Sequence, residues 1–227
     1  MPRLARPPTR GETTTGIYGD RVLPRIVDRL CDVAPAHPLR ARVCAGLHGR
    51  VLELGFGSGL NVAHYPDAVV EVAAVEPADL AWELAAPRLA ATTTPVRRTG
   101  LDGRSIPLPD GSCDSALSTW TLCTVPDVAV VLAEVRRALR PGGTLHFVEH
   151  GLAPDEEVRR WQHRLDPLQR RLFGGCHLTR PIVDLLVVAG FTITELDVFY
   201  QEGTGRIWGA DSLGVARAAT TADRPPS

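Results

Sequence analysis

The stretch Val51-Leu52-Glu53-Leu54-Gly55-Phe56-Gly57-Ser58-Gly59-Leu60-Asn61 carries the clearest chemical signal in this chain. A short apolar strand breaks into glycines, and the spacing predicts a helix over 59–65. Such a strand–glycine turn–helix unit aims backbone N–H groups at an anionic ligand group. Spacing then selects the ligand. A dinucleotide fingerprint, G-x-G-x-x-G, would put its third glycine at position 60, which is Leu60. That argues against a nicotinamide-dependent oxidoreductase. The pattern is instead E-x-G-x-G-x-G, with Glu53 two residues before Gly55, and Gly57 and Gly59 after it. Glu76 closes the next predicted strand, at a distance suited to holding a ribose diol. An acid there accepts from free hydroxyls and repels a 2′-phosphate. Glycines alone would also suit a tight turn; the two acids make a ligand site the better reading.

The elements that must position these residues alternate. Helices are predicted over 20–32 and 38–47, then strand 50–55, strand 69–75, helix 78–90 and a short strand 95–99. Strand 113–118 leads into helix 127–139, where Val128, Val131, Leu132, Val135 and Leu139 recur at helical spacing. Pro141-Gly142-Gly143 ends that helix, and strand 144–149 follows. Residues 154–173 read as helical with an interruption at Pro167. Helix 180–189 stops at Gly190, a left-handed cap, before strands 191–199 and 207–216. The expected fold is α/β: a Rossmann-like, doubly wound, mostly parallel seven-stranded sheet with helices on both faces. Ligands in such sheets sit beyond the carboxyl ends of the strands, at the switch point after the first strand.

Composition narrows the class. The chain has 227 residues and a net charge of −1, so no global charge favours nucleic acid. Its basic side chains are all arginine. The five cysteines, Cys31, Cys44, Cys113, Cys123 and Cys176, are scattered without a C-x-x-C. That points to a reducing, cytoplasmic setting and away from a disulfide framework or structural zinc. No apolar run is long enough to span a membrane, and no signal peptide is expected. Residues 1–16, with Arg3, Arg6 and Arg10, read as a flexible basic arm; 17–219 as one domain; 220–227 as a tail.

The glycine turn with Glu53 and Glu76 resembles the class I S-adenosylmethionine-dependent methyltransferases. The order Glu149-His150, Trp161-Gln162, Leu165-Asp166-Pro167 and Gly175-Cys176-His177-Leu178-Thr179-Arg180 is similar to the methyltransferase-like subfamily that includes the alkyl-thiol S-methyltransferases. Thr121-Leu122-Cys123-Thr124-Val125 and Leu213-Gly214-Val215-Ala216 strengthen that likeness, which runs over about 49–216. The chain departs from the animal enzymes at its start, where a polar arm stands in place of a hydrophobic anchor. Membrane attachment is therefore not expected.

The resemblance implies S-adenosylmethionine as cofactor. Glu53, Gly55, Gly57, Gly59, Glu76 and Pro77 would form its turn and ribose site. Asp102 and Gly103 would meet the adenine, although an Asp-Gly pair also suits a plain turn. Carbonyls of the Thr119-Trp120 loop would meet the methionine amino group, and Trp120 would either lie against the ligand or pack. Tyr18 would reach the cofactor carboxylate. The implied acceptor is a small lipophilic molecule, with a thiol as the lead. Quinone C-methylation, phospholipid or amine N-methylation, and a non-catalytic cofactor-binding protein are the alternatives. His150 and Asp166 are the catalytic candidates; either could equally be structural, His150 at a strand end and Asp166 as a helix cap. Cys123, Cys176, His177 and Arg180 would line the acceptor side, within a lid-like insertion at about 151–180. Cys123 reads as inert, because nothing in the sequence would lower its pKa. No metal is expected, since Cys176-His177 has no further ligands at tetrahedral spacing.

Overall fold

The computed structural model describes residues 22–218. Helices α1 (Leu23–Cys31) and α2 (Ala36–Cys44) precede β1 (Gly49–Leu54). Then come β2 (Val69–Val75), α3 (Asp79–Leu84), α4 (Ala86–Ala91), β3 (Val96–Gly100) and β4 (Cys113–Thr119). The remainder is α5 (Val128–Ala138), β5 (Leu139–His150), α6 (Glu156–Leu172), α7 (Ile182–Val188), β6 (Phe191–Tyr200) and β7 (Ala210–Ala218). One sheet contains all seven strands in the order β3-β2-β1-β4-β5-β7-β6. The first five pair in parallel; β7 runs antiparallel to both β5 and β6. This bears out the expected architecture, with strand order reversing between β1 and β4.

Parallel strands covered on both faces read as apolar runs, and alternation sends successive side chains to opposite sides. Leu52 and Leu54 of β1 join Leu145 and Phe147 under Val131, Leu132 and Val135 of α5. Val51 joins Leu117 and Val148 under Val43, Cys44 and Leu47 beside α2. By the same alternation Glu53 faces the α2 side, which brings it into reach of that helix. Gly190 adopts φ +86°, as its capping role requires.

Several predicted elements differ. The helix expected over 59–65 is a single 3₁₀ turn, Val62–His64. Pro66 holds Tyr65 extended at φ −67°, ψ 126°, and Gly59 sits at φ +77°, leaving room for one turn only. No α-helix N-terminus therefore stands behind the glycines; the turn's own amides are the donors. Helix 78–90 is two helices, because Pro87 cannot donate to the Glu83 carbonyl. Pro167, in contrast, does not interrupt α6. The hydrogen bond it removes would have used the carbonyl of His163, an exposed residue, where water takes the donor's place. The last strand begins at Ala210, after a turn closed by Gln201 N–H donating to the Gly209 carbonyl at 2.8 Å.

Tyr18, the arm and the tail lie outside the described residues. Among the described residues no helix is long and apolar enough to cross a membrane.

Candidate active site

At the tips of β1 and β2, Gly55, Gly57 and Gly59 have φ of 61°, 58° and 77°, the left-handed region that glycine tolerates. A Cβ at Gly55 would lie 2.1 Å from Thr121 Oγ1, so the glycine turn and the loop after β4 are in direct contact. A Cβ at Gly57 would meet only the Gly55 carbonyl, at 3.8 Å; space is open beside it. Gly57 N–H donates to Glu76 Oε2 at 2.7 Å, and Ala78 N–H to Oε1 at 2.8 Å, across Pro77. Burial pushes the Glu76 carboxyl up, against the pull of these two bonds. A carboxylate offers about four acceptor positions, so Glu76 keeps capacity for ligand hydroxyls.

Glu53 is fully buried and serves a different purpose. It accepts from Asn61 Nδ2 at 2.8 Å and from the Tyr65 hydroxyl. Asn61 Nδ2 also reaches Thr119 Oγ1 at 3.0 Å, and Arg40 Nη1 of α2 donates to Asn61 Oδ1 at 2.7 Å. Burial pushes the Glu53 carboxyl up to about 7, opposed by Tyr65, Asn61 and the Arg40 charge. Arg40 Nε is buried without a partner, and its guanidinium lies 4.8 Å over the Trp120 ring. That unspent donor beside the switch point fits an anionic ligand group. Trp120 has φ +48°, the only positive value at a non-glycine among the described residues. Holding a bulky residue there costs on the order of 1–3 kcal/mol, and its Nε1 donates to Asp211 Oδ2 at 3.4 Å.

Asp102 bonds to Arg104 rather than to these groups. Its carboxylate accepts from Arg104 Nε at 3.1 Å and Arg104 Nη2 at 2.9 Å, and the Arg104 hydrogen bonds hold it below its usual range. Gly103 packs toward Val131.

Beyond β4 and β5 the materials change. Glu149, absent from the sequence candidates, is fully buried. It accepts from Ser118 Oγ at 2.6 Å, Thr121 N–H at 3.0 Å and Cys123 N–H at 3.3 Å, and burial raises it to about 7 against these bonds. Arg180 Nη1 donates to the Leu122 and Val125 carbonyls. Asp166 accepts from Leu178 N–H at 2.7 Å and Thr179 Oγ1 at 3.4 Å, with His177 Nδ1 at 4.0 Å. His177 N–H donates to the Cys123 carbonyl at 2.9 Å. Asp166, His177 and Arg180 thus brace the loop rather than open into it.

What they brace is a cluster of three. Cys176 Sγ lies 3.7 Å from Cys123 Sγ and 3.9 Å from His150 Nδ1. The Cys123 contact first, and then His150, pull the Cys176 thiol down to about 5 against burial. The same contact with Cys176, together with burial, pushes Cys123 well up. Burial alone would lower His150, but the Cys176 contact and the Asp211 charge outweigh it and the imidazole is raised. Gln169 also bonds Cys176. It lines a groove of about 220 Å³ with Leu165, Leu168, Leu172, Phe173 and Trp208.

Arg40, Asn61, Tyr65, Glu149 and Asp211 escape the sequence reading. Only Glu149 had a signal, its place beside His150 in the resemblance.

Comparison with known proteins agrees with this architecture. Residues 52–147 match the Methyltransferase domain family. Human thiol S-methyltransferase TMT1B is 38% identical over 160 residues, 67% of this chain and 64% of that protein. The rat TMT1B is 33% identical over 153 residues, 65% of this chain and 62% of that protein. The chain therefore spans just under two thirds of the length of these curated relatives. Among solved structures, 1,6-didemethyltoxoflavin-N1-methyltransferase of Burkholderia thailandensis, with 1,6-didemethyltoxoflavin and S-adenosylhomocysteine bound, gives a TM-score of 0.65. It is 19% identical, and the match covers 87% of this chain and 84% of that one. At that identity the likeness concerns the fold.

Proposed function

We propose that the chain is a class I S-adenosylmethionine-dependent methyltransferase that methylates the sulfur of a small lipophilic thiol. One juxtaposition carries this reading. A glycine turn with open space and an unspent acid stands at the tips of β1 and β2, and a sulfur–imidazole cluster beside an apolar groove follows β4 and β5.

In this reading Glu76 takes the ribose hydroxyls, with Gly55, Gly57, Gly59 and Pro77 shaping the turn. Glu53 anchors that turn from beneath. Asp102 and the Gly103 amide take the adenine, which requires Asp102 to exchange Arg104 for the ligand. Arg40, Thr119 and Trp120 hold the methionine end, and Tyr18 adds to it. The sulfonium of the bound cofactor supplies a methyl carbon that is already electrophilic. The protein's task is alignment at near-attack distance and exclusion of water. Segment 151–180 covers the acceptor side, with Asp166, His177 and Arg180 holding it closed. A thiol, with an unperturbed pKa near 8.5, is a few per cent thiolate at neutral pH and needs no strong base. We place the protein in the cytoplasm, where its five unpaired cysteines stay reduced.

Calorimetric titration with S-adenosylhomocysteine tests the first half; micromolar binding is expected. Transfer of labelled methyl to a panel of thiols, demethylquinones and amines tests the second. Turnover confined to amines or quinones removes the thiol. A folded protein that fails to bind S-adenosylhomocysteine removes the activity altogether.

A further inference from the structure

Cys123, His150 and Cys176 are not needed to hold the cofactor, and their spacing has a meaning of its own. Two thiolates bound to one tetrahedral zinc, with bonds of about 2.3 Å, lie roughly 3.8 Å apart; a thiolate and an imidazole nitrogen lie roughly 3.6 Å apart. The two sulfurs here are 3.7 Å apart, and Cys176 Sγ is 3.9 Å from His150 Nδ1. All three donor atoms fall within 4.8 Å of one another. Sulfur and imidazole are the donors that zinc-class ions select.

The arrangement is held from several sides. Glu149 fixes the Cys123 backbone, and His177 N–H clips the Cys176 segment to the Cys123 carbonyl. Gly174 and Gly175, at φ 60° and 89°, turn the chain so that Cys176 faces back. A Cβ on Gly175 would come within 3.4 Å of the Thr124 carbonyl, which keeps that approach close. His150 is 6% exposed, and its Nε2 is buried without a hydrogen-bond partner.

We propose that Cys123, His150 and Cys176 form a three-ligand site for a zinc-class divalent cation, whose fourth position takes the sulfur of the methyl acceptor. The second half rests on the thiol reading above. On coordination the acceptor's S–H bond breaks and its proton leaves to water. The sulfur lone pair then forms the S–CH₃ bond as the cofactor's C–S bond breaks. The neutral thioether that results is a weak ligand and departs. Three protein ligands with one open position is the arrangement of catalytic rather than structural zinc.

The test is anaerobic titration of the reduced full chain with Co²⁺. One equivalent should produce thiolate-to-cobalt charge-transfer bands and intense tetrahedral ligand-field bands, both displaced by Zn²⁺. C123S, C176S and H150Q should each weaken binding at least tenfold, while C113S, outside the cluster, keeps the spectrum. S-adenosylhomocysteine titration shows that each variant is folded, and H150Q gives the readout with the thiol pair intact. Wild type without these bands, or C176S and H150Q that both retain them, overturns the site. Adding a small thiol should shift the ligand-field bands; an unchanged spectrum overturns the acceptor half. Loss of S-adenosylhomocysteine binding in wild type would defeat the methyltransferase reading and leave the cobalt result standing.

Discussion

On the β1–β2 side of the crevice, oxygen and nitrogen groups answer one another in sequence. Arg40 reaches Asn61, Asn61 reaches Glu53 and Thr119, and Glu76 gathers two backbone amides. On the β5 side, two sulfurs and an imidazole meet inside a brace made by Glu149, Arg180 and Asp166. The first region uses polar groups to shape the backbone around the proposed cofactor site. The second uses polar groups to hold softer atoms at fixed separation. One end is built to bind, the other to keep reactive side chains close without letting them collapse, and each can be damaged separately.

The largest expected effect comes from Glu149→Ala. It strips acceptors from Ser118, Thr121 and Cys123 and should lower unfolding free energy by about 3 kcal/mol. Thiol turnover should vanish while S-adenosylhomocysteine affinity changes by no more than about threefold, far below the 1.4 kcal/mol that marks tenfold. An equal loss of both in calorimetry and turnover assays would mean that the two ends are one cooperative unit.

Glu53 gives the binding end a pH signature. Its folded-state pKa is raised from 4.5 to about 7, so the folded protein holds that proton more tightly than the unfolded chain. Its contribution to stability is whole below about pH 4.5 and is lost as pH climbs through about 7, on the order of 3 kcal/mol. Glu53→Gln should flatten this part of the profile in urea denaturation at several pH values. An unchanged slope would assign the effect elsewhere.

Gly57→Ala should cost about 1–2 kcal/mol of stability through left-handed strain, and more in affinity, because the new methyl enters the open space beside the turn. Asp102→Ala should weaken S-adenosylhomocysteine binding by about 1–2 kcal/mol. Unchanged affinity would leave Asp102 as the partner of Arg104 alone. Arg42→Ala is the smallest. It removes an exposed pair with Asp197 and should shift stability by under about 0.5 kcal/mol.

The binding end is the more legible one because its devices are local. Three glycines after an apolar strand and an acid closing the next strand are close in sequence and impose their geometry directly. The helix expected behind them fails for an equally local reason, Pro66, which holds Tyr65 extended. Pro167 errs the other way, since whether a proline breaks a helix depends on which face meets water. Arg40 is not readable: an arginine on a short polar helix looks like surface until α2 packs over β4 and β5. The acceptor end is least readable of all. Cys123, His150 and Cys176 belong to three separate segments, and no spacing rule connects them. The subsidiary likeness of motifs points to these loops, but it does not reveal that two thiols would meet.

The strand order has a consequence for how the molecule is made. β7, late in the chain, lies between β5 and β6. Until it arrives, β6 has no neighbour and β5 presents a bare edge, the kind of surface that invites pairing with other chains. The same strand brings Asp211 opposite His150 in register. On the ribosome, the core around β1 and β4 can consolidate early, while the chemistry-bearing corner stays unfinished until the last strand is delivered. Conditions that slow or cut short that final insertion would yield a chain whose β1–β2 side is nearly complete, whose His150 lacks Asp211, and whose exposed edge is ready to aggregate.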